Sequence, residues 1–275
     1  MVKVFAPAKI NLSLHVTGQR DDGYHLLDSL VAFVDVGDHV FAQVAPETSL
    51  AVAGPFANGV PTDGQNLVVK AANASGLPMA LTLEKHLPPS SGIGGGSADA
   101  AATLRAAMRL GGAQMTTDHA ALLGADVPVC FLSKSTRMQG IGDALTPVTL
   151  PELHLVLVNP RVEVATPDVF ARLSRKDNHP MPEMLPQWPD SLALVDWLGT
   201  QRNDLQDPAV KTTPEIAAVL VALALSPEVL LTRMSGSGAT CFGLYPDRAA
   251  AEAAAEHLSH SNPWWWIKAA STLSA

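Results

Sequence analysis

A glycine-rich segment, Ser91-Gly-Ile-Gly-Gly-Gly-Ser97, constrains the fold of this chain more than any other feature. It follows a predicted strand around Leu81–Leu83 that ends before Pro88-Pro89, and it precedes a helix-forming run over Ala98–Leu110. Closely spaced glycines let backbone N–H groups approach an anion, and the start of a helix adds a partial positive charge. The order strand, loop, helix therefore predicts a phosphate-binding loop, with a simple packing turn as the alternative.

The spacing within this loop disfavours two common nucleotide-binding motifs. Ser97 stands where a dinucleotide fingerprint has its third glycine or alanine, which argues against a dehydrogenase. The Gly-Lys-Ser/Thr of a P-loop is also missing from the sequence. Ser97 itself can cap the predicted helix or direct its hydroxyl to a phosphate or to Mg²⁺.

Composition limits the class of partner. Hydrophobic residues make up 47% of the 275 residues and charged residues 16%, which is typical of a compact globular protein. The formal net charge of −8 argues against nucleic acid and anionic membranes, because both need a basic surface. We therefore expect a small-molecule partner. An anionic nucleotide would have to be held by local amides, a few lysines and Mg²⁺.

The sequence favours a cytoplasmic location. Lys3, Pro7 and Lys9 interrupt the first apolar stretch, which is unlike a signal peptide. The apolar run from Ile216 to Leu225 is too short to span a bilayer.

Cysteine, histidine and tryptophan each favour a structural interpretation. Cys130 and Cys241 have apolar neighbours, which predicts buried thiols rather than a disulfide or a nucleophile. The nine histidines lack the paired spacing of a zinc site. The run Trp264-Trp-Trp266 is interpreted as part of a closing strand that packs its aromatic rings.

Two lobes are expected, covering residues 1–155 and 156–275. A strand is predicted over Leu153–Val158, and a polar, proline-containing connection follows over Arg172–Asp190. Further helices are predicted over residues 191–200, 214–225 and 247–260, around a glycine turn at Ser235-Gly-Ser-Gly238.

Near the amino terminus, a predicted strand carries a polar face. Ile10, Leu12, Leu14 and Val16 share one face, and the opposite face carries Lys9, Asn11, Ser13 and His15. Such a polar face is either a solvated surface or the wall of a site, and periodicity does not distinguish the two.

Three segments, in order along the chain, resemble the three motifs of the galactokinase, homoserine, mevalonate and phosphomevalonate (GHMP) kinase superfamily. They are Pro7-Ala-Lys-Ile-Asn11, Pro89-Ser-Ser-Gly-Ile-Gly-Gly-Gly-Ser-Ala-Asp-Ala-Ala101 and Met234-Ser-Gly-Ser-Gly-Ala239. The resemblance implies a two-lobed α+β fold with an N-terminal nucleotide-binding lobe and a C-terminal α/β lobe. It also implies an ATP-dependent phosphotransferase with an alcohol acceptor.

Further segments resemble the diphosphocytidyl-methylerythritol kinase family of the non-mevalonate isoprenoid pathway. They are the loop Arg20-Asp-Asp-Gly-Tyr-His25, Leu123-Gly-Ala-Asp-Val-Pro128, Ala165-Thr-Pro167 and Arg202-Asn-Asp-Leu205. Two alternatives stay open. One is another kinase of the superfamily, of homoserine or mevalonate type, and the other is a binding protein of the same fold without turnover.

This resemblance implies catalytic roles for two residues. Asp126 matches the general base that accepts the proton of the substrate hydroxyl, and Lys9 matches the catalytic lysine. Pro128 is expected to push Val127 away from helical angles, which would leave Asp126 on a non-helical corner. The connection 111–123 is short, so we expect a shortened helix before Asp126.

The resemblance also implies binding roles. Tyr24 and His25 match residues that hold the cytosine of the substrate, and Asn11 and Thr166 match other substrate-side positions. On the nucleotide side the matching positions are Asn66, Lys85, Pro89, Ser90, Ser91, Gly92, Ile93, Gly94, Gly95, Gly96 and Ser97. The expected cofactors are ATP and Mg²⁺, and the expected partner is a small molecule bearing a cytidine diphosphate group.

Overall fold

The computed structural model describes residues 1–273, in which strands and helices are mixed. The strands are β1 Val2–Gln19, β2 His25–Val44, β3 Ser49–Ala53, β4 Met79–Glu84, β5 Thr136–Gly140, β6 Ala144–Pro147, β7 His154–Asn159, β8 Leu231–Met234, β9 Cys241–Tyr245 and β10 Trp266–Ser271. The helices are α1 Leu67–Ala74, α2 Gly95–Arg109, α3 Thr117–Ala121, α4 Val127–Leu132, α5 Thr166–Ala171, α6 Ser191–Gly199, α7 Gln206–Thr212, α8 Glu215–Ala224 and α9 Arg248–Ser261. The expected α+β class is confirmed.

The chain forms two compact units, each built from separate segments. The first unit contains residues 1–9, 36–89 and 94–133, and the second contains residues 10–35, 90–93 and those from 134 onward. The long strands β1 and β2 therefore contribute to both units. The lobe boundary expected near residue 155 stays a prediction.

In the first unit, β4 pairs with strands on both sides. It is parallel to β3 and antiparallel to the last part of β2, in a register that sets His39 opposite Glu84. Helix α2 packs against α1 and α4. The buried face of α2 consists largely of alanines, whose small side chains allow neighbouring helices to approach closely.

In the second unit, an antiparallel sheet has the strand order β10-β7-β9-β8. Helices α8 and α9 pack on its strands, and Ile216, Val219, Ala251 and Leu258 contribute to the apolar cluster there. The first part of β2 pairs with β5, and β5 pairs with β6, both antiparallel. The turn between β8 and β9 carries the third motif.

Most predicted elements form where the sequence places them. The strands predicted at 81–83 and 153–158 are β4 and β7, and the helix predicted from Ala98 is α2, which begins earlier, within the glycine loop at Gly95. The helices predicted at 191–200, 214–225 and 247–260 are α6, α8 and α9. Within residues 1–273, no helix combines enough length and apolar character to cross a membrane.

The tryptophan run was interpreted wrongly in part. Trp266 begins β10 and is buried, but Trp264 lies before the strand and is 83% exposed. A strand buries only alternate side chains, and the turn that precedes β10 holds Trp264 outside the core. The two cysteines are buried free thiols, as expected. Burial raises the pKa of Cys130 to about 12, which keeps its thiol protonated.

Candidate active site

The second half of the glycine loop forms the start of α2. Gly94 is the residue before the first helical turn and has φ +66°, a conformation that glycine adopts without steric cost. The first helical N–H to bond is that of Ala98, which donates to Gly94 O at 2.8 Å. The N–H groups of the preceding turn are therefore outside the helical hydrogen-bond pattern.

Ser97 does not cap this helix, which corrects one of its two expected roles. The helix begins at Gly95, so Ser97 lies within the first turn, and Gly94 takes the cap position without a side-chain hydrogen bond. Glycine replaces a serine cap here because the backbone enters the helix from the left-handed region. The Ser97 hydroxyl thus has no capping bond to make.

Lys9 and Asp126 meet beside the loop, in the first unit. Lys9 Nζ donates to Asp126 Oδ2 at 2.8 Å. Lys9 is 4% exposed, whereas the Asp126 side chain is 37% exposed and open to a ligand. A Cβ on Gly94 would lie 3.3 Å from Lys9 Cβ, so the loop backbone approaches the lysine closely.

Asp126 immediately precedes α4, which differs from the expected non-helical corner. Val127 is the first residue of α4, and Pro128 lies in its first turn. Proline is tolerated there because the N–H that it lacks has no helical partner in the first turn. The shortened helix expected before Asp126 is confirmed, since α3 covers only Thr117–Ala121.

Arg105 fixes the other end of α4. Its guanidinium donates to Cys130 O at 2.8 Å, to Ser133 Oγ at 3.2 Å and to Phe5 O at 3.0 Å. Burial lowers the pKa of Arg105 to about 10, so the group stays charged at neutral pH. The position of Asp126 therefore depends on an anchored helix rather than on a free loop.

Lys85 lies in a buried ion triad. Its Nζ donates to Asp38 and, at 2.9 Å, to Asp99 Oδ2 on the first turns of α2. Asp38 also accepts from the N–H of Leu87 at 2.8 Å. A Cβ on Gly95 would lie 3.2 Å from Lys85 Nζ, so this triad supports the start of α2.

Asn66, the other residue expected near the nucleotide, caps α1. Its Oδ1 accepts from Val68 N–H at 2.9 Å, and its Nδ2 donates to Pro61 O at 2.6 Å. The side chain therefore has a clear structural role.

In the second unit, the first half of the glycine loop packs on the turn of the third motif. Ser235 Oγ donates to Gly92 O at 3.0 Å, and Thr240 N–H donates to Ser91 O at 3.1 Å. Gly92 has φ +74°, and a Cβ there would lie 2.7 Å from Gly238 O. Only glycine at position 92 allows the two backbone segments to come this close.

Asn11 joins the first motif to the same turn. Its N–H donates to Ser235 Oγ at 3.0 Å, and its Nδ2 donates to Ser29 Oγ at 2.8 Å. Asn11 Oδ1 is buried and has no hydrogen-bond partner among the residues described. The polar face of the first strand is buried at Lys9, Asn11, Ser13 and His15, so it is no solvated surface.

An aromatic pair forms next to the predicted cytosine loop. The ring of His25 stacks on Phe170 with centroids 4.7 Å apart and planes at 27°. Burial, followed by the charge of Lys176, lowers the pKa of His25, so its imidazole is neutral at pH 7. Within residues 1–273, His25 Nε2 is buried and has no partner. Tyr24, in contrast, is 62% exposed.

Phe170 was not among the site residues predicted from the sequence. Thr166 is the first residue of α5, and its Oγ1 lies 2.8 Å from Ser237 Oγ. Phe170 is four residues further along the helix, so it shares a face with Thr166. Its position in the sequence, four residues after the threonine of the Thr-Pro pair that starts α5, was the signal that could have identified it.

Each unit thus carries a distinct chemical capability. The first unit holds a lysine–aspartate pair beside N–H groups that lie outside the hydrogen-bond pattern of helix α2, which suits phosphate and proton transfer. The second unit holds a stacked neutral imidazole and a buried amide acceptor, which suit a flat, hydrogen-bonding ligand.

Comparison with known proteins identifies relatives over nearly the whole chain. Residues 66–148 match the GHMP kinases N terminal domain, and residues 192–263 match the GHMP kinases C terminal domain. A 4-diphosphocytidyl-2-C-methyl-D-erythritol kinase of Cereibacter sphaeroides is 57% identical over 271 residues, which cover 97% of this chain and 98% of the relative. The enzyme of the same description from Dinoroseobacter shibae is 56% identical over 96% of this chain and 92% of its own.

A solved structure agrees with these relatives. The crystal structure of a 4-(cytidine 5′-diphospho)-2C-methyl-D-erythritol kinase superposes with a TM-score of 0.81 at 30% sequence identity, and the match covers 100% of both chains.

The ion triad gives a prediction about pH. Burial raises the pKa of Asp99 to about 7; Lys85 opposes this rise, and the nearby Asp38 carboxylate adds to it. Between about pH 4 and about pH 7 the folded chain therefore binds a proton at Asp99 that the unfolded chain has lost. This contribution to stability is present at low pH and is lost as pH rises through the folded pKa.

Replacing Asp99 by Asn removes this titration. We expect the free energy of unfolding of the wild type, relative to Asp99→Asn, to fall between about pH 4 and pH 7 and to stay level above that range. Urea unfolding of both proteins across this range measures the difference. A difference that does not change with pH would contradict the raised pKa.

Proposed function

The chain belongs to the GHMP kinases, among the 4-diphosphocytidyl-2-C-methyl-D-erythritol kinases, and from this premise we propose that it phosphorylates a hydroxyl of that compound with ATP. This reaction belongs to the non-mevalonate route to isoprenoid precursors, as the sequence motifs led us to expect. The cytoplasmic location expected from the sequence stays a prediction.

The observation that carries the proposal is the Lys9–Asp126 pair beside Gly94. The 2.8 Å contact sets a carboxylate and an ammonium group next to the helix start that would hold the transferring phosphate. In the proposed step, the substrate hydroxyl oxygen forms the new bond to the γ-phosphorus, and the bond from that phosphorus to ADP breaks. Asp126 accepts the hydroxyl proton, and Lys9 stabilises the negative charge on the phosphoryl oxygens.

The loop from Pro89 to Ser97 would hold the phosphates of ATP. Backbone N–H groups in the first turn of α2 lie outside the helical bonding pattern, and the helix dipole favours an anion there. At Gly96 a Cβ would meet only Leu67 Cδ1, at 3.9 Å, so side chains leave this part of the backbone accessible. The Lys85 triad supports the same turn through Asp99. This arrangement fits a polyphosphate.

The residues at this end of α2 also fit Mg²⁺ held mainly by the nucleotide. Mg²⁺ in such enzymes takes one or two protein oxygens together with phosphate oxygens and water. The Ser97 hydroxyl, in the first turn of α2, is the protein donor that we assign to it. When bound, the ion neutralises charge on the phosphates.

We assign the cytosine to His25 and Phe170. The stacked pair offers an aromatic surface for a flat base, and the unpaired His25 Nε2 offers one hydrogen bond to its edge. Exposed Tyr24 is assigned to the opposite side of the base. The free Asn11 Oδ1 can accept from a substrate hydroxyl, and Thr166 lies on the same helix face as Phe170.

Asn66 and Lys85 are assigned to the adenine side through the segments that they hold. Asn66 fixes the start of α1, and Lys85 fixes the segment between β4 and the glycine loop. Since both side chains already have protein partners, we assign any direct adenine contact to the neighbouring backbone.

A parallel assay tests the substrate. ATP-coupled turnover is measured with 4-diphosphocytidyl-2-C-methyl-D-erythritol, homoserine and mevalonate, and we expect activity with the first alone. Turnover of homoserine or mevalonate alone would assign the chain to another GHMP kinase. ATP binding without turnover of any of the three would indicate a binding protein.

Replacing Asp126 by Asn tests the general base. The amide keeps the size of the side chain but cannot accept the proton, so we expect turnover to fall at least about a hundredfold. The fall is not total, because positioning and charge stabilisation contribute much of phosphoryl-transfer catalysis. Steady-state kinetics at saturating ATP measures it, and near-normal turnover would remove Asp126 from this role.

Replacing Phe170 by Ala tests the cytosine site. Loss of base stacking is worth about 1–3 kcal/mol, so we expect the KM of the cytidine substrate to rise about 5- to 150-fold. The KM of ATP should stay unchanged, because Phe170 belongs to the substrate site in this assignment. Phe170→Tyr, which keeps the ring, is the matched control. Equal rises in both KM values would contradict the assignment.

A further inference from the structure

Three metal-ligating side chains converge in the first unit, on residues to which the proposed reaction gives no role. They are His39 on β2, Glu84 at the end of β4, and His86 two residues later. The antiparallel register sets His39 directly opposite Glu84. Residues two apart on an extended segment point to the same face, so Glu84 and His86 are both near His39.

The alternation of side chains separates this cluster from the ion triad. Asp38 and Lys85 are buried, whereas their neighbours His39, Glu84 and His86 are each partly exposed. One potential ligand atom from each of the three residues lies within 4.8 Å of the other two, and His86 Nε2 is 3.9 Å from Glu84 Oε2. In the portion of the chain that the structure describes, this is the only such group of three or more His, Cys, Asp or Glu side chains.

We propose that His39, Glu84 and His86 bind a divalent transition-metal ion of the zinc class. Two imidazoles and one carboxylate form a common ligand set for zinc, and water completes its tetrahedral coordination. Ligand atoms about 2.1 Å from a tetrahedral ion are about 3.4 Å apart, so the three side chains must move together modestly. Exposed His86 has the freedom to rotate.

Two observations bear on the affinity of this site. His39 packs against Phe5 with ring centroids 5.3 Å apart, which restricts its orientation, and its Nδ1 is buried with no hydrogen-bond partner in residues 1–273. The positive charge of Lys3 opposes binding of the ion. Its ammonium group lies 5.2 Å from the ring centroid of Phe41, which is two residues after His39 and therefore on the same face of β2. Removing that charge should therefore tighten metal binding.

The ion would join β2 to the segment that leads into the glycine loop. Since the unfolded chain does not bring His39 near Glu84 and His86, binding favours the folded state. The site therefore couples the stability of this part of the first unit to the concentration of free metal.

The test titrates the metal-free protein, without nucleotide, with Co²⁺ and then displaces it with Zn²⁺. We expect one equivalent of Co²⁺ to give the strong visible absorption of four-coordinate cobalt, and Zn²⁺ to raise the unfolding temperature. His86→Gln removes one ligand, so it should weaken Co²⁺ binding at least about tenfold and reduce the thermal shift. Because His86 is exposed, this change leaves the core unaltered.

Two further variants complete the design. His260→Gln, at an exposed histidine of α9, is the matched control and should bind Co²⁺ like the wild type. Lys3→Gln should bind Co²⁺ more tightly. Unchanged binding in His86→Gln, or loss of binding in His260→Gln, would overturn the proposal.

Discussion

Three buried ionisable side chains hold the start of helix α2, and the glycine loop depends on them. Lys85 joins Asp38 on β2 to Asp99 on α2, and Asp38 also accepts from the backbone that leads into the loop. Removing one partner of such a buried pair costs about 3–5 kcal/mol, because a charge is left without compensation. The triad therefore gives the N–H groups after Gly94 a rigid support, which a loop with so many glycines could not supply by itself.

The parts of the molecule assigned to ligands contain polar atoms that the fold leaves unpaired. Asn11 Oδ1 and His25 Nε2 are buried without partners in the described chain. Buried polar atoms are normally hydrogen-bonded, so such exceptions mark places where a ligand can complete the pairing. Both residues are held by other contacts: Asn11 N–H donates to Ser235 Oγ, and the His25 ring stacks on Phe170.

Features that depend on residues close together in the sequence were predicted correctly, whereas several that depend on the surrounding structure were not. The glycine loop, the alanine-rich helix after it and the buried cysteines follow from residue type and short spacing. The capping role predicted for Ser97 was wrong because the backbone enters α2 through Gly94. The non-helical angles predicted for Val127 were wrong because Pro128 lies in the first turn of α4, where proline is tolerated. The cluster of His39, Glu84 and His86 could not be predicted from spacing along the sequence, because the register between β2 and β4 brings His39 next to Glu84.

Motifs of fixed spacing are read directly from the sequence, so the family and the candidate site residues Lys9, Asp126 and His25 could be named before the fold was known. Tertiary structure alone decided that Lys9 and Asp126, 117 residues apart, meet at 2.8 Å. It also decided that Lys85 is enclosed by two carboxylates and that Phe170 stacks on His25. Such contacts depend on strand register and helix packing, which join residues distant in the chain and leave no periodic trace along it.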